Sequence, residues 1–206
     1  MNRSLAKALS VVLHPLLLPT YLFAFILYYL PAPTLSLPMQ SRWIVLGMIF
    51  FTTFIIPGLG AYTMVRSGQL DSMEMERREQ RRLPLLFTSL CYGITTYLLY
   101  REPAFDEIFY FIMAIITASV LLTYGISLFW KVSAHSVGVG GALGLLLLLS
   151  RLVPDVPMLL PISLSIILTG AVLSARLALD AHTPAEVYTG FGSGLLLALT
   201  AGMFAL

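Results

Sequence analysis

The chain has 206 residues, of which 58% are apolar and only 11% charged, and its mean hydropathy is +0.90. A soluble domain carries roughly 25% charged residues, so a depletion that runs the whole length excludes an ordinary soluble globule and reads as an integral membrane protein. The formal net charge of +2 is too small to argue for nucleic acid, and the single cysteine, Cys91, excludes an internal disulfide.

A spanning helix needs about 20 mostly apolar residues. Seven segments approach that length: Val11–Leu30, Trp43–Met64, Leu83–Tyr100, Ile108–Phe129, Ala134–Leu152, Met158–Ala178 and Ala185–Phe204. No polar stretch is long enough to fold separately, so the expectation is a single domain, 1–206. The fold class expected is all-α, a polytopic transmembrane helix bundle. Arg3 and Lys7 precede an apolar run, as in a signal peptide, but no small-residue cleavage site follows. The segment reads as a retained first helix. His14-Pro15 and Pro19 lie near its start, and an interfacial histidine beside a proline kink is expected there. Pro57-Gly58-Leu59-Gly60 predicts a kink in the second segment. Cys91 sits in the apolar run Leu85 to Tyr100 and reads as a small core residue.

Seven spans would place odd and even connections on opposite sides. One side then holds nine of the twelve basic residues and all three histidines, His14, His135 and His182. By the positive-inside rule that side faces the cytoplasm. Arginines recruited to bind phosphate would instead report function and leave the side open.

Three clusters carry chemistry. The first, Lys131-Val132-Ser133-Ala134-His135, opens a helix: Ser133 is a good N-cap, and glycines follow inside the apolar run. A helix N-terminus offers free N–H groups and a positive dipole end to an anion. His135, one turn in, could protonate a leaving oxygen; the competing reading is a capped helix with a hydrated interfacial histidine. In the second cluster Arg176 closes one helix and Pro184 starts the next, where proline fits. Glu186, four residues after His182, can reach its imidazole, fix the tautomer and leave the other nitrogen free to attack. The competing reading is a helix hairpin with a surface ion pair. The third cluster holds Arg77, Arg78, Arg81 and Arg82, four arginines in six residues. Guanidinium matches phosphate oxygens in a bidentate fork, although a solvated juxtamembrane helix carries the same residues. Arg82, next to Pro84, is the strongest candidate of the four.

Taken together the clusters resemble the type 2 phosphatidic acid phosphatase (PAP2) superfamily of membrane lipid phosphatases. That family carries Lys-x6-Arg-Pro, then Pro-Ser-Gly-His, then Ser-Arg-x5-His-x3-Asp. The second signature appears as Val132-Ser133-Ala134-His135 and the third as Ala175-Arg176-x5-His182-x3-Glu186. The resemblance covers about 131–194. Ala175 stands for the family's serine and Glu186 for its aspartate. The first signature is poor: Arg82-Leu83-Pro84 has an extra residue before the proline, and Met75 stands where the lysine belongs.

The resemblance implies a PAP2-like bundle of about 6–7 spans, in a bacterial inner (plasma) membrane. It implies a lipid phosphate as substrate and hydrolysis of a phosphomonoester or diphosphate through a phosphohistidine. His182 would be the nucleophile, held by Glu186, and His135 the acid and then the base. Arg176, Ser133 and one or more of Arg78, Arg81 and Arg82 would hold the phosphoryl oxygens. No cofactor is implied, and no metal, because two histidines and one glutamate lack a supporting acidic cluster. The alternatives on the same scaffold are a non-catalytic lipid-phosphate binder or transporter, and a lipid phosphotransferase.

Overall fold

A computed structural model describes residues 1–31, 35–75 and 77–203, and among these every regular element is helical. Phe204, where the last expected segment ends, lies outside the described residues. Among the described residues, five helical stretches are long and apolar enough to cross a membrane: Met39–Arg66, Arg78–Arg101, Glu107–Ser127, Ala134–Leu152 and Leu159–Ala178. The chain is therefore a multi-pass, membrane-embedded helical protein. Where the sequence reads as one domain, the chain packs as two compact units, one of 1–18 with 131–206 and the other of 19–130.

The expected first span, Val11–Leu30, is broken. Helix α1 covers Arg3–Val12 and helix α2 covers Leu18–Tyr29. Pro15 has no N–H to give a helix, and it disfavours helical backbone at His14 before it. Pro19 falls in the first turn of α2, where a missing donor costs little. At about 1.5 Å per residue, α2 is roughly 18 Å long, against a hydrocarbon core of about 30 Å. Asn2 caps α1 by accepting from the Ser4 N–H at 2.9 Å. Ala6 and Ser10 form its buried face, while Arg3 and Lys7 stay exposed.

In the unit of 19–130, α3 (Arg42–Phe50) and α4 (Ile56–Arg66) are joined without a break by a π-helical turn over Phe51–Ile55. Its cause lies two residues on, at Pro57, whose missing N–H would otherwise bond the carbonyl of Thr53. That carbonyl accepts from the Tyr92 hydroxyl at 3.1 Å instead. Tyr92 belongs to α5 (Arg82–Arg101), so the distortion ties two apolar helices together. Helix α6 (Glu107–Ser127) packs along α5, and their Thr96 and Thr117 hydroxyls meet at 2.9 Å. Arg42 is buried, only 2% exposed, and gives its guanidinium to the carbonyls of Leu27 and Leu37. It thereby caps the C-terminal end of α2, whose last carbonyls have no helical partner.

In the unit of 1–18 and 131–206, α7 (Ala134–Leu152), α8 (Leu159–Ala178) and α9 (Pro184–Gly202) run up, down and up. Helix α7 is central: 61% of its apolar window is buried, against 17% for α8. Helices α7 and α9 are parallel and in register, with Gly190 beside Ser133, Gly194 beside Val137 and Gly202 beside Leu148. A Cβ at Gly194 would overlap the Val137 carbonyl, and one at Gly140 the Phe191 carbonyl. Only glycine lets the two backbones come this close. Helix α9, at 19 residues, matches α7 in length but is not among the five apolar stretches. The odd-and-even assignment of sides thus rests on a span count that goes beyond these five helices. Helix α1 packs against α8.

Candidate active site

The parallel packing of α7 and α9 brings their N-terminal caps together. Ser133 caps α7, its Oγ accepting from the Ser136 N–H at 3.3 Å. Thr183 caps α9, its Oγ1 accepting from the Glu186 N–H at 3.3 Å. The Ser133 N–H donates to the Glu186 carbonyl at 3.3 Å, so the two caps share a bond.

The Glu186 carboxylate does two things with one oxygen. Oε2 accepts from the Thr183 N–H at 3.1 Å, which completes a capping box. The same Oε2 accepts from His182 Nδ1 at 3.0 Å. Acceptance there places the imidazole proton on Nδ1 and leaves the Nε2 lone pair unprotonated. The His182 side chain is only 2% exposed. The expected pairing of Glu186 with His182 is thus present, and Pro184 stands in the first turn of α9 as expected. The capping box was visible in the sequence as Thr183-Pro184-Ala185-Glu186.

His135 lies on the first turn of α7, and Arg176 on the last turn of α8. Both meet the same residue of α1. His135 Nε2 donates to the Ser10 carbonyl at 3.0 Å, and Arg176 Nη1 donates to the Ser10 hydroxyl at 3.2 Å. The His14 ring meets His135 edge-on, with centroids 5.5 Å apart and planes 81° apart. Burial, and then the Arg176 guanidinium, hold the His14 imidazole below its ordinary pKa. Arg176, His14 and His182 all lie within electrostatic reach of the His135 ring. Three histidines, one arginine and one carboxylate therefore gather at one end of this unit.

Lys131 completes the group. Its Nζ donates to the Ala181 carbonyl at 3.2 Å, just past the end of α8. An open pocket at this end is lined by Lys131, Asp180, His182, Thr183 and Glu186. It places one cation, Lys131, and two carboxylates, Asp180 and Glu186, around one opening beside His182.

The remaining expected residues stand differently. Ser133 is fully buried, and both its Oγ and its N–H are engaged in the caps. It builds the end of α7, so no phosphate-binding role is visible for it here. Arg78, Arg81 and Arg82 belong to the other unit. There Arg78 donates to the Phe129 carbonyl at 2.5 Å and Arg81 to the Met75 carbonyl at 3.1 Å, while Arg82 begins α5. Among the described residues no three histidine, cysteine, aspartate or glutamate side chains are grouped to hold a metal ion.

The sequence assigns Ser10 and Lys131 no role in the site and reads His14 only as an interfacial histidine beside a proline kink. Ser10 and His14 precede His135 by more than a hundred residues, and no local pattern links them. Comparison with protein-family models, curated proteins and solved structures gives no match.

Proposed function

We propose that this chain is a membrane-embedded lipid phosphate phosphatase of the PAP2 type, acting through a phosphohistidine. The observation that carries the reading is the Glu186–His182 bond, with Arg176 and His135 gathered at the same end. A carboxylate on one imidazole nitrogen prepares the other as a nucleophile. Burial strengthens the electrostatics of the pair.

In this mechanism a lipid phosphate enters headgroup first from the bilayer. The His182 Nε2 lone pair attacks phosphorus as the bond to the lipid oxygen breaks. His135 protonates the departing alcohol. Water then attacks the phosphohistidine, His135 takes its proton, and inorganic phosphate leaves with His182 restored. Arg176 and Lys131 offset the negative charge that builds on the phosphoryl oxygens. A PAP2-like arrangement of 6–7 spans in a bacterial inner membrane belongs to the same proposal. The engagement of Arg78 and Arg81 with backbone carbonyls favours the alternative of a non-catalytic lipid-phosphate binder.

The test is phosphate release from a panel of lipid phosphates and diphosphates in detergent, with EDTA present. The expected result is turnover by the native chain and none by His182→Asn. Asparagine suits a buried position, because its amide can still donate to Glu186. Undiminished release by His182→Asn would overturn the mechanism.

A further inference from the structure

The donors assigned to the phosphoryl group are not idle in this structure. His135 Nε2 and Arg176 Nη1 converge on Ser10, one on its carbonyl and one on its hydroxyl. Two oxygens of one residue thus satisfy two donors that a phosphoryl group would otherwise satisfy. The His182 side chain is 2% exposed and Ser10 itself 8%. His135 and Arg176 are half-buried, and a headgroup that reached them would have to take the places now held by the Ser10 carbonyl and hydroxyl.

The geometry points to Ser10 as an internal stand-in for phosphoryl oxygens: the anion subsite lies where Ser10 now sits, and a phosphate ester binds by displacing the last turn of α1. This rests on the phosphatase reading and adds the position of its anion subsite and the element that closes it.

Three features make α1 the part that moves. Its buried face is made of Ala6 and Ser10, so little apolar area holds it down. Its ion pair, Arg3 with Asp180 at 3.5 Å, joins side chains 71% and 86% exposed, and such pairs contribute little. The chain between Val12 and Leu18 is not α-helical, which lets α1 turn without dragging α2. In contrast, α7 and α9 are locked backbone to backbone through Gly140 and Gly194.

The experiment uses the full chain in detergent, with orthovanadate as the probe, titrated calorimetrically. Ser10→Ala removes the hydroxyl that competes for Arg176 and is smaller than the native residue, so it fits the buried site. Vanadate should bind it several-fold tighter than the native chain. Ser10→Asp puts a carboxylate on Arg176 and should weaken vanadate at least tenfold. Hydrogen exchange of the native chain is read in parallel and depends on no variant. Saturating vanadate should speed exchange of the amides of residues 3–12.

Equal or weaker binding by Ser10→Ala overturns the proposal, as does slowed or unchanged exchange in α1. Either result with vanadate still bound to the native chain would leave the phosphatase reading standing. Absence of vanadate binding by both native chain and Ser10→Ala would overturn both.

Discussion

Glu186→Gln separates charge from geometry at the centre of the site. Oε2 of Glu186 holds two donors, His182 Nδ1 at 3.0 Å and the Thr183 N–H at 3.1 Å. A glutamine has one oxygen that can take both, and its NH2 can take neither. The Thr183 N–H therefore keeps the amide oxygen facing inward and stops the side chain from turning its NH2 to the imidazole. The His182 tautomer survives, and only the charge is lost. Losing a negative charge at a helix N-terminus costs about 0.3–1 kcal/mol of stability. The chemical cost arises as His182 becomes cationic on phosphorus. A hydrogen bond to a charged group contributes about 1.5–3 kcal/mol and a neutral one about 0.5–1.5. The difference is about 1–2 kcal/mol, and each 1.36 kcal/mol is tenfold in rate. Single-turnover phosphate release should therefore fall by about 5–30-fold, with a thermal melt in detergent shifted only slightly. A loss of a thousandfold or more would show that the amide turns over and the wrong tautomer forms, which refutes the shared-oxygen argument. An unchanged rate would refute any role for the Glu186 charge.

Two further outcomes test the scaffold. Gly194→Ala should destabilise by about 1–3 kcal/mol, because its Cβ meets the Val137 carbonyl and, at 2.9 Å, the Gly141 nitrogen, neither of which can swing aside; Gly192→Ala, with nothing within 4 Å, should be neutral or stabilising by up to about 1 kcal/mol, and paired melts decide between them. Arg42→Leu should cost about 2–6 kcal/mol, because it leaves the carbonyls of Leu27 and Leu37 without their buried donor, each worth roughly 1–3 kcal/mol; a melt within 1 kcal/mol of the native chain would show that other groups satisfy those carbonyls.

Much of the helical framework was legible because apolar runs of membrane length carry little ambiguity. Ala134–Leu152 was placed to the residue, since Ser133 marks its start and the apolar run its extent. The first segment, expected to be continuous with a kink, breaks where the kink was expected: Pro15 lies in the break and Pro19 in the first turn of α2. In the second segment the kink expected at Pro57 takes the form of a π-helical turn just before it. The Glu186–His182 pair was legible because four residues on a helical start fix a contact. The meeting of Ser10 and His14 with His135 was not. It depends on how α1 packs against α8, and tertiary packing of small residues such as Ala6 leaves no periodic signal. The division into two units was illegible for a similar reason, because no polar linker marks the boundary at Lys131.

The shared cap of α7 and α9 has a consequence of its own. Two parallel helices that begin at adjoining caps, joined by the Ser133–Glu186 bond, set two positive dipole ends side by side, each equivalent to about half a charge. Side by side these dipoles repel, and the close glycine packing holds them there. A lysine or a histidine loses its charge when it loses a proton, whereas this potential has no proton to lose. It is written into the peptide units, so no change of pH titrates it and no single side-chain substitution removes it. The end of the bundle that holds His182 keeps these two positive ends for as long as the fold itself endures.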